Sequence, residues 1–179
     1  YLVKTKDEVL TEEQIMKEVD FHEDINLKLI HRESAEADIY FVSNQHEYAL
    51  DASVTFRQNE KSPEIWNPLL GEQIEAKVWK RDGNKTNVVL NFAPNGSAVV
   101  IFKKDESKGD YAKVTLNDEV ILDCSTGWYK KYEGSNPTSI TFEGNSITPN
   151  RSGTYTFIKN DNTSEKLDFE VVENSFIDQ

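Results

Sequence analysis

The sequence predicts an all-β protein of two consecutive antiparallel β-sandwich units, immunoglobulin-like or jelly-roll-like, behind a short N-terminal helical segment. Three observations lead there. Residues 49–58 alternate with period two, Leu50, Ala52, Val54 and Phe56 facing one way and Asp51, Ser53, Thr55 and Arg57 the other, the pattern of a sheet with one face solvated. Residues 38–43 form an unbroken apolar run rich in β-branched and aromatic side chains, as a strand covered on both faces would be. Turn signals recur at strand-length intervals, at Asn67-Pro68 with Gly71, at Asp82 to Lys85, at Pro94-Asn95-Gly96 and at Asn117 to Glu119.

Taken in order, residues 1–25 are a helical lead-in. Val9, Leu10, Ile15, Met16 and Val19 fall roughly at helical spacing within 6–19, one or two short helices that need a surface to pack on. Residues 26–104 are the first sandwich. Its strands are placed at 26–32, where Leu27, Leu29 and His31 oppose Lys28, Ile30 and Arg32, and at 38–43, 49–58, 65–66, 74–80, 87–92 and 97–103. The charged stretch 103–110 is read as a linker. Residues 111–174 are a smaller sandwich, with strands at 113–116, 119–123, 139–142, 146–148, 153–158 and 167–172.

Composition narrows the function. The 32 Asp and Glu outnumber the 20 Lys and Arg, giving a formal net charge of −12, and no basic cluster appears. Neither nucleic acid nor an anionic membrane is therefore expected as a partner. Cys124 is the single cysteine, so an internal disulfide and a C-x-x-C metal site are excluded, and a buried structural thiol is expected. There is neither a long apolar run nor a leader pattern at Tyr1, and both ends of the chain cut through patterned sequence, so a fragment is expected.

Candidate sites divide by chemistry. Glu64, beside Trp66, and Asp38, ahead of an apolar strand, are the carboxylates to test as an acid and base pair, against solvated or turn-capping roles. His22, His31 and His46 lack the spacing that puts two imidazoles on one metal, so no metal and no cofactor is expected. His31 and Arg32 end a strand and are candidates to face a cleft, against pairing with local carboxylates. Trp128, Tyr129 and Tyr132 in the loop GWYKKY are the candidate carbohydrate-binding platform, since aromatic faces stack on sugar rings, against packing onto the neighbouring unit. Trp66 and Trp79 fall in alternating strands and are expected in the core.

Four phrases, HRESAEADIYFVSNQ, VTFR, PEIWNPLLGE and VVLNFAPNGSAVVIF, resemble in order and spacing the region just after the catalytic barrel of bacterial glycoside hydrolases of the α-L-rhamnosidase type. There the pattern is H-R-x-x-x-x-A-D-I-Y-F-V-x-N-Q, then P-E-L-W-D-P-x-T-G-E, then P-Y-G-S-V-F-V-V-F. This chain departs from it at Asn67, Leu70 and Asn95. A weaker likeness runs through GTYTFIKNDNTSEKLDFEVVE. The resemblance implies a multidomain enzyme whose catalytic carboxylates lie in a barrel upstream of Tyr1, and no catalytic residue of the family falls on a position here. It implies an accessory region that braces that barrel, in a periplasmic or secreted protein, with the barrel as partner, and the aromatic platform adds a glycan as a candidate partner. The rival readings are an autonomous carbohydrate-binding module and a protein-interaction sandwich.

Overall fold

A computed structural model describes residues 2–3, 9–10, 19–68, 71–104, 109–133, 140–143 and 146–171. Among these there is no helix, and every strand pairing is antiparallel. The strands are β1 (Leu2–Val3), β2 (Val9–Leu10), β3 (Val19–Asp20), β4 (Leu27–Glu33), β5 (Ala37–Asn44), β6 (Ala49–Phe56), β7 (Ser62–Asn67), β8 (Glu72–Glu75) and β9 (Trp79–Asp82). They continue as β10 (Lys85–Phe92), β11 (Ser97–Lys103), β12 (Tyr111–Leu116), β13 (Glu119–Asp123), β14 (Tyr129–Tyr132), β15 (Ile140–Glu143), β16 (Ser146–Pro149), β17 (Gly153–Lys159) and β18 (Ser164–Phe169). The helix expected over 6–19 is corrected where it can be judged: Val9–Leu10 pairs with Leu2–Val3 as a ribbon, and Val19–Asp20 pairs with β6. Residues 6–8 and 11–18 lie outside the described residues.

Two sheets face each other across one core. Sheet I runs β14-β6-β10-β9, with β3 also on β6, and sheet II runs β4-β5-β11-β7-β8. Leu50, Val54 and Phe56 from sheet I meet Tyr40, Val42, Val100 and Phe102 from sheet II in a single buried cluster. At its centre the Tyr40, Phe56 and Phe102 rings lie with centroids 4.9, 5.8 and 5.2 Å apart, tilted or edge-on, which is the favoured aromatic geometry. Trp79 is buried there, as expected, but Trp66 is 38% exposed, because the pleat turns it to the outer face of sheet II while Ile65 turns in.

The stretch expected as one strand over 74–80 is two strands, β8 in sheet II and β9 in sheet I, because the chain changes sheets at Ala76 and Lys77. The turns follow their chemistry. Gly83 at φ 60° closes β9 to β10, and Asn117 and Asp118, at 49° and 67°, form the two left-handed positions that a tight hairpin between β12 and β13 demands.

A smaller sheet III, β13-β12-β17-β18, carries a second core of Val114, Leu116, Ile121, Leu122, Tyr155 and Phe157. Val78 and Val89, from the outer face of sheet I, belong to that second core. Every residue of β6 is consequently buried, Asp51, Ser53 and Thr55 included, which corrects the expectation that one face of this strand is solvated. The joint is tied by Asn160, whose Nδ2 donates to Trp79 O at 3.1 Å and Gly109 O at 2.6 Å. Gly109 sits so close to β9 that a Cβ there would run into Trp79 O.

Candidate functional site

A buried charged group is built from the first quoted phrase. Alternation along β4 and β5 turns His31 and Asp38 inward, and each is only 4% exposed. His31 Nε2 lies 3.1 Å from Asp38 Oδ1, and Lys61 Nζ donates to Asp38 Oδ2 at 2.7 Å. The His31 ring stacks on Tyr40, centroids 4.1 Å apart and planes 3° from parallel. Burial works to raise the pKa of Asp38, but the hydrogen bonds and charges of His31 and Lys61 outweigh it and hold the carboxyl below its ordinary range. A buried carboxylate with one oxygen held by the Lys61 ammonium and the other by the His31 ring is a tie between separate stretches of the sheet. Asn44, from the same phrase and 1% exposed, works likewise: its Nδ2 donates to Tyr48 O and Ala93 O, both at 3.0 Å, and its Oδ1 accepts the His46 N–H. It pins the loop after β5 to the one after β10.

The sequence candidates are therefore dispersed. His31 faces the core while Arg32 points to the opposite face and is exposed, so they do not line one cleft. Asp38 and Glu64 lie on opposite faces of sheet II and form no pair. Glu64 instead binds Lys103 at 2.6 Å, and the Lys103 ammonium sits 5.8 Å from the centre of the Trp66 ring.

The segment GWYKKY, expected as a loop, supplies β14, an outer strand of sheet I paired to β6 through Tyr129 opposite Ala52 and Tyr132 opposite Ala49. Alternation divides its aromatics. Tyr132 donates to Asp51 Oδ2 at 2.7 Å, while Asn91 Nδ2 holds Asp51 Oδ1 at 2.7 Å. Burial, with the Asp51 charge, raises the Tyr132 pKa above that of an ordinary phenol. Trp128 packs half-buried on the second core. Tyr129 turns the other way, donating to Asp24 Oδ2 at 3.0 Å with its ring 4.6 Å from His22. The Lys131 ammonium bridges the Tyr129 and Tyr48 rings at 5.7 and 5.1 Å, and Tyr48 stacks on His46. His46 Nε2 accepts the Asn26 N–H at 2.8 Å, and burial together with Lys131 lowers its pKa. This partly exposed cluster draws on three separated stretches of chain, and no local pattern announces it.

A cleft of about 230 Å³ opens between sheets I and III, lined by Lys80, Lys113, Asp123, Cys124, Ser125 and Ile158. Lys113 and Asp123 close on each other at 2.9 Å. Cys124 is buried and its thiol pKa is raised, first by burial and then by Asp123, so it is an inert thiol as expected. Among the described residues no three His, Cys, Asp or Glu side chains are grouped to hold a metal.

Residues 1–80 match the alpha-L-rhamnosidase model of glycoside hydrolase family 106. A protein of Formosa agariphila, provisionally named a beta-glucuronidase, is 34% identical over 98 residues, covering 52% of this chain and 8% of that protein. The rhamnosidase from Novosphingobium sp. PP1Y is similar in structure at a TM-score of 0.47 and 22% identity, covering 58% of this chain and 12% of that one. The chain thus spans a small part of the relatives it matches. The family match and the Formosa relative support a rhamnosidase-like glycoside hydrolase region.

Proposed function

From this similarity to a rhamnosidase-like glycoside hydrolase region, we propose that the chain is a non-catalytic accessory part of a multidomain enzyme acting on plant or host polysaccharide, with β-sandwich units that brace the catalytic barrel. The observation that carries the reading is where the motif side chains go. His31, Asp38 and Asn44, three of the polar residues that match the family phrase, are turned inward and tie strands and loops together, while Arg32 and Gln45 of the same phrase are exposed to solvent. Side chains that performed the chemistry would need to reach a substrate. The same proposal puts the enzyme in the periplasm or outside the cell, where such polysaccharide is met.

Assay of the 179-residue chain on aryl α-L-rhamnosides and aryl β-glucuronides tests the reading. No aglycone release above buffer is expected. Turnover that disappears when a single carboxylate is replaced would overturn it.

A further inference from the structure

The outer face of sheet II carries an apolar row set by register. Ile30 lies opposite Phe41, Phe41 opposite Val99, and Val99 opposite Trp66. At the strand spacing of a sheet, the four side chains form a strip about 14 Å long. Ile30 is 50% exposed, Phe41 37% and Trp66 38%, the large hydrophobic side chains left most open to solvent among the described residues. The adjacent row on the same face adds Ile39 and Ile101 between Arg32 and Glu64. Scattered exposed apolar residues need no explanation, but four in register across four strands form a patch with a polar border, which is the anatomy of an interface.

The two outer faces of the two-sheet body are handled differently. That of sheet I is covered by the protein's own second core, through Val78 and Val89. That of sheet II carries no second core among the described residues, and its border is charged unevenly. Lys28 and Arg32, two residues either side of Ile30 on β4, are exposed and take no carboxylate partner among the described residues. At the far edge, Glu75 is neutralised by Lys77 at 2.8 Å and Glu64 by Lys103. A complementary surface is therefore apolar along the row and acidic against β4.

We propose that this face is the docking surface for the remainder of the glycoside hydrolase polypeptide, which presents an apolar strip to Ile30, Phe41, Val99 and Trp66 and carboxylates to Lys28 and Arg32. The inference rests on the accessory reading above. It is supported by the Formosa relative, of which this chain covers 8%, so most of that polypeptide lies elsewhere and has a surface to offer.

Thiol labelling tests it. Ile30→Cys, Phe41→Cys and the control Lys166→Cys, on the exposed face of β18, are prepared in the 179-residue chain and in the full polypeptide that carries it. The buried Cys124 stays silent in both. Maleimide should modify Ile30→Cys and Phe41→Cys roughly tenfold or more slowly in the full polypeptide, with Lys166→Cys unchanged. Equal rates in the two contexts overturn the proposal. So does slowing in the isolated chain that grows with its concentration, which assigns the face to a second copy, or slowing on addition of oligosaccharide, which assigns it to a glycan. Turnover by the isolated chain would sink the accessory reading and leave the labelling contrast intact, whereas equal labelling would sink the docking face without creating turnover.

Discussion

Replacing Asp38 by Ala is expected to cost about 3 to 5 kcal/mol, because it leaves His31 buried and Lys61 mostly buried against a lost counter-charge. Thermal unfolding should show the midpoint lowered by roughly 6 to 20 °C for a chain of this size. Glu119→Ala, whose partner Lys130 meets it at the surface, should move the midpoint little. The pH dependence has a fixed sign. Asp38 is held below its ordinary pKa in the folded state, so its stabilisation is complete above the unfolded value of about 3.9 and is lost as pH falls through the lower folded value. Asp38→Asn should therefore flatten the acid limb of a stability profile below about pH 4 and lower the plateau above it. An unchanged midpoint for Asp38→Ala would show that the cluster is not a structural tie.

Phe56→Ala is expected to destabilise by about 3 to 5 kcal/mol as well, by a different route. Phe56 is fully buried, packs on Tyr40 and Phe102, and stands at the end of β6 where β3 and β10 both pair with it. Truncation removes apolar area and leaves a cavity between two sheets that cannot close without moving a strand. Denaturant titration should show the transition midpoint fall. A slope that is unchanged would mean that β6, which carries sheet I on its edges and the second core against its outer face, unfolds with the whole chain.

The strands were largely legible in the sequence because alternation and turn residues are local. The 97–103 and 119–123 strands coincide with β11 and β13, and Leu27, Leu29 and His31 do face away from Lys28, Ile30 and Arg32. What failed depended on distant partners. The polar face of β6 looked solvated because Asp51, Ser53 and Thr55 are polar, yet Tyr132, 81 positions away, and Asn91 satisfy Asp51 beneath a second body. Residues 74–80 looked like one strand because period two continues through a bend that hands the chain from one sheet to the other. GWYKKY looked like a loop because its strand character comes from pairing with β6.

The candidate site was less legible. His31 and Asp38 were visible as residues able to do chemistry, but nothing in their spacing said that alternation would turn both inward toward Lys61. Trp66 was expected in the core because a tryptophan in an alternating strand usually is. It alternates as expected, to the other face, and there it becomes part of the apolar row with Val99 and Phe41. The family phrases encode the fold as much as any chemistry. Even the departure at Asn95 fits, since that residue takes a left-handed φ of 52°, which asparagine tolerates better than most.

The accessory role proposed above requires that this region stabilise an enzyme whose catalysis is carried out elsewhere. It is tested most directly by thermal inactivation of the full glycoside hydrolase polypeptide with and without the region. Removal is expected to shorten the half-life of hydrolysis at a fixed temperature by roughly tenfold or more, while kcat/KM of the surviving enzyme on a small aryl glycoside stays within about twofold. An unchanged half-life, or kcat/KM abolished in a truncated enzyme that unfolds at the same temperature, would contradict it.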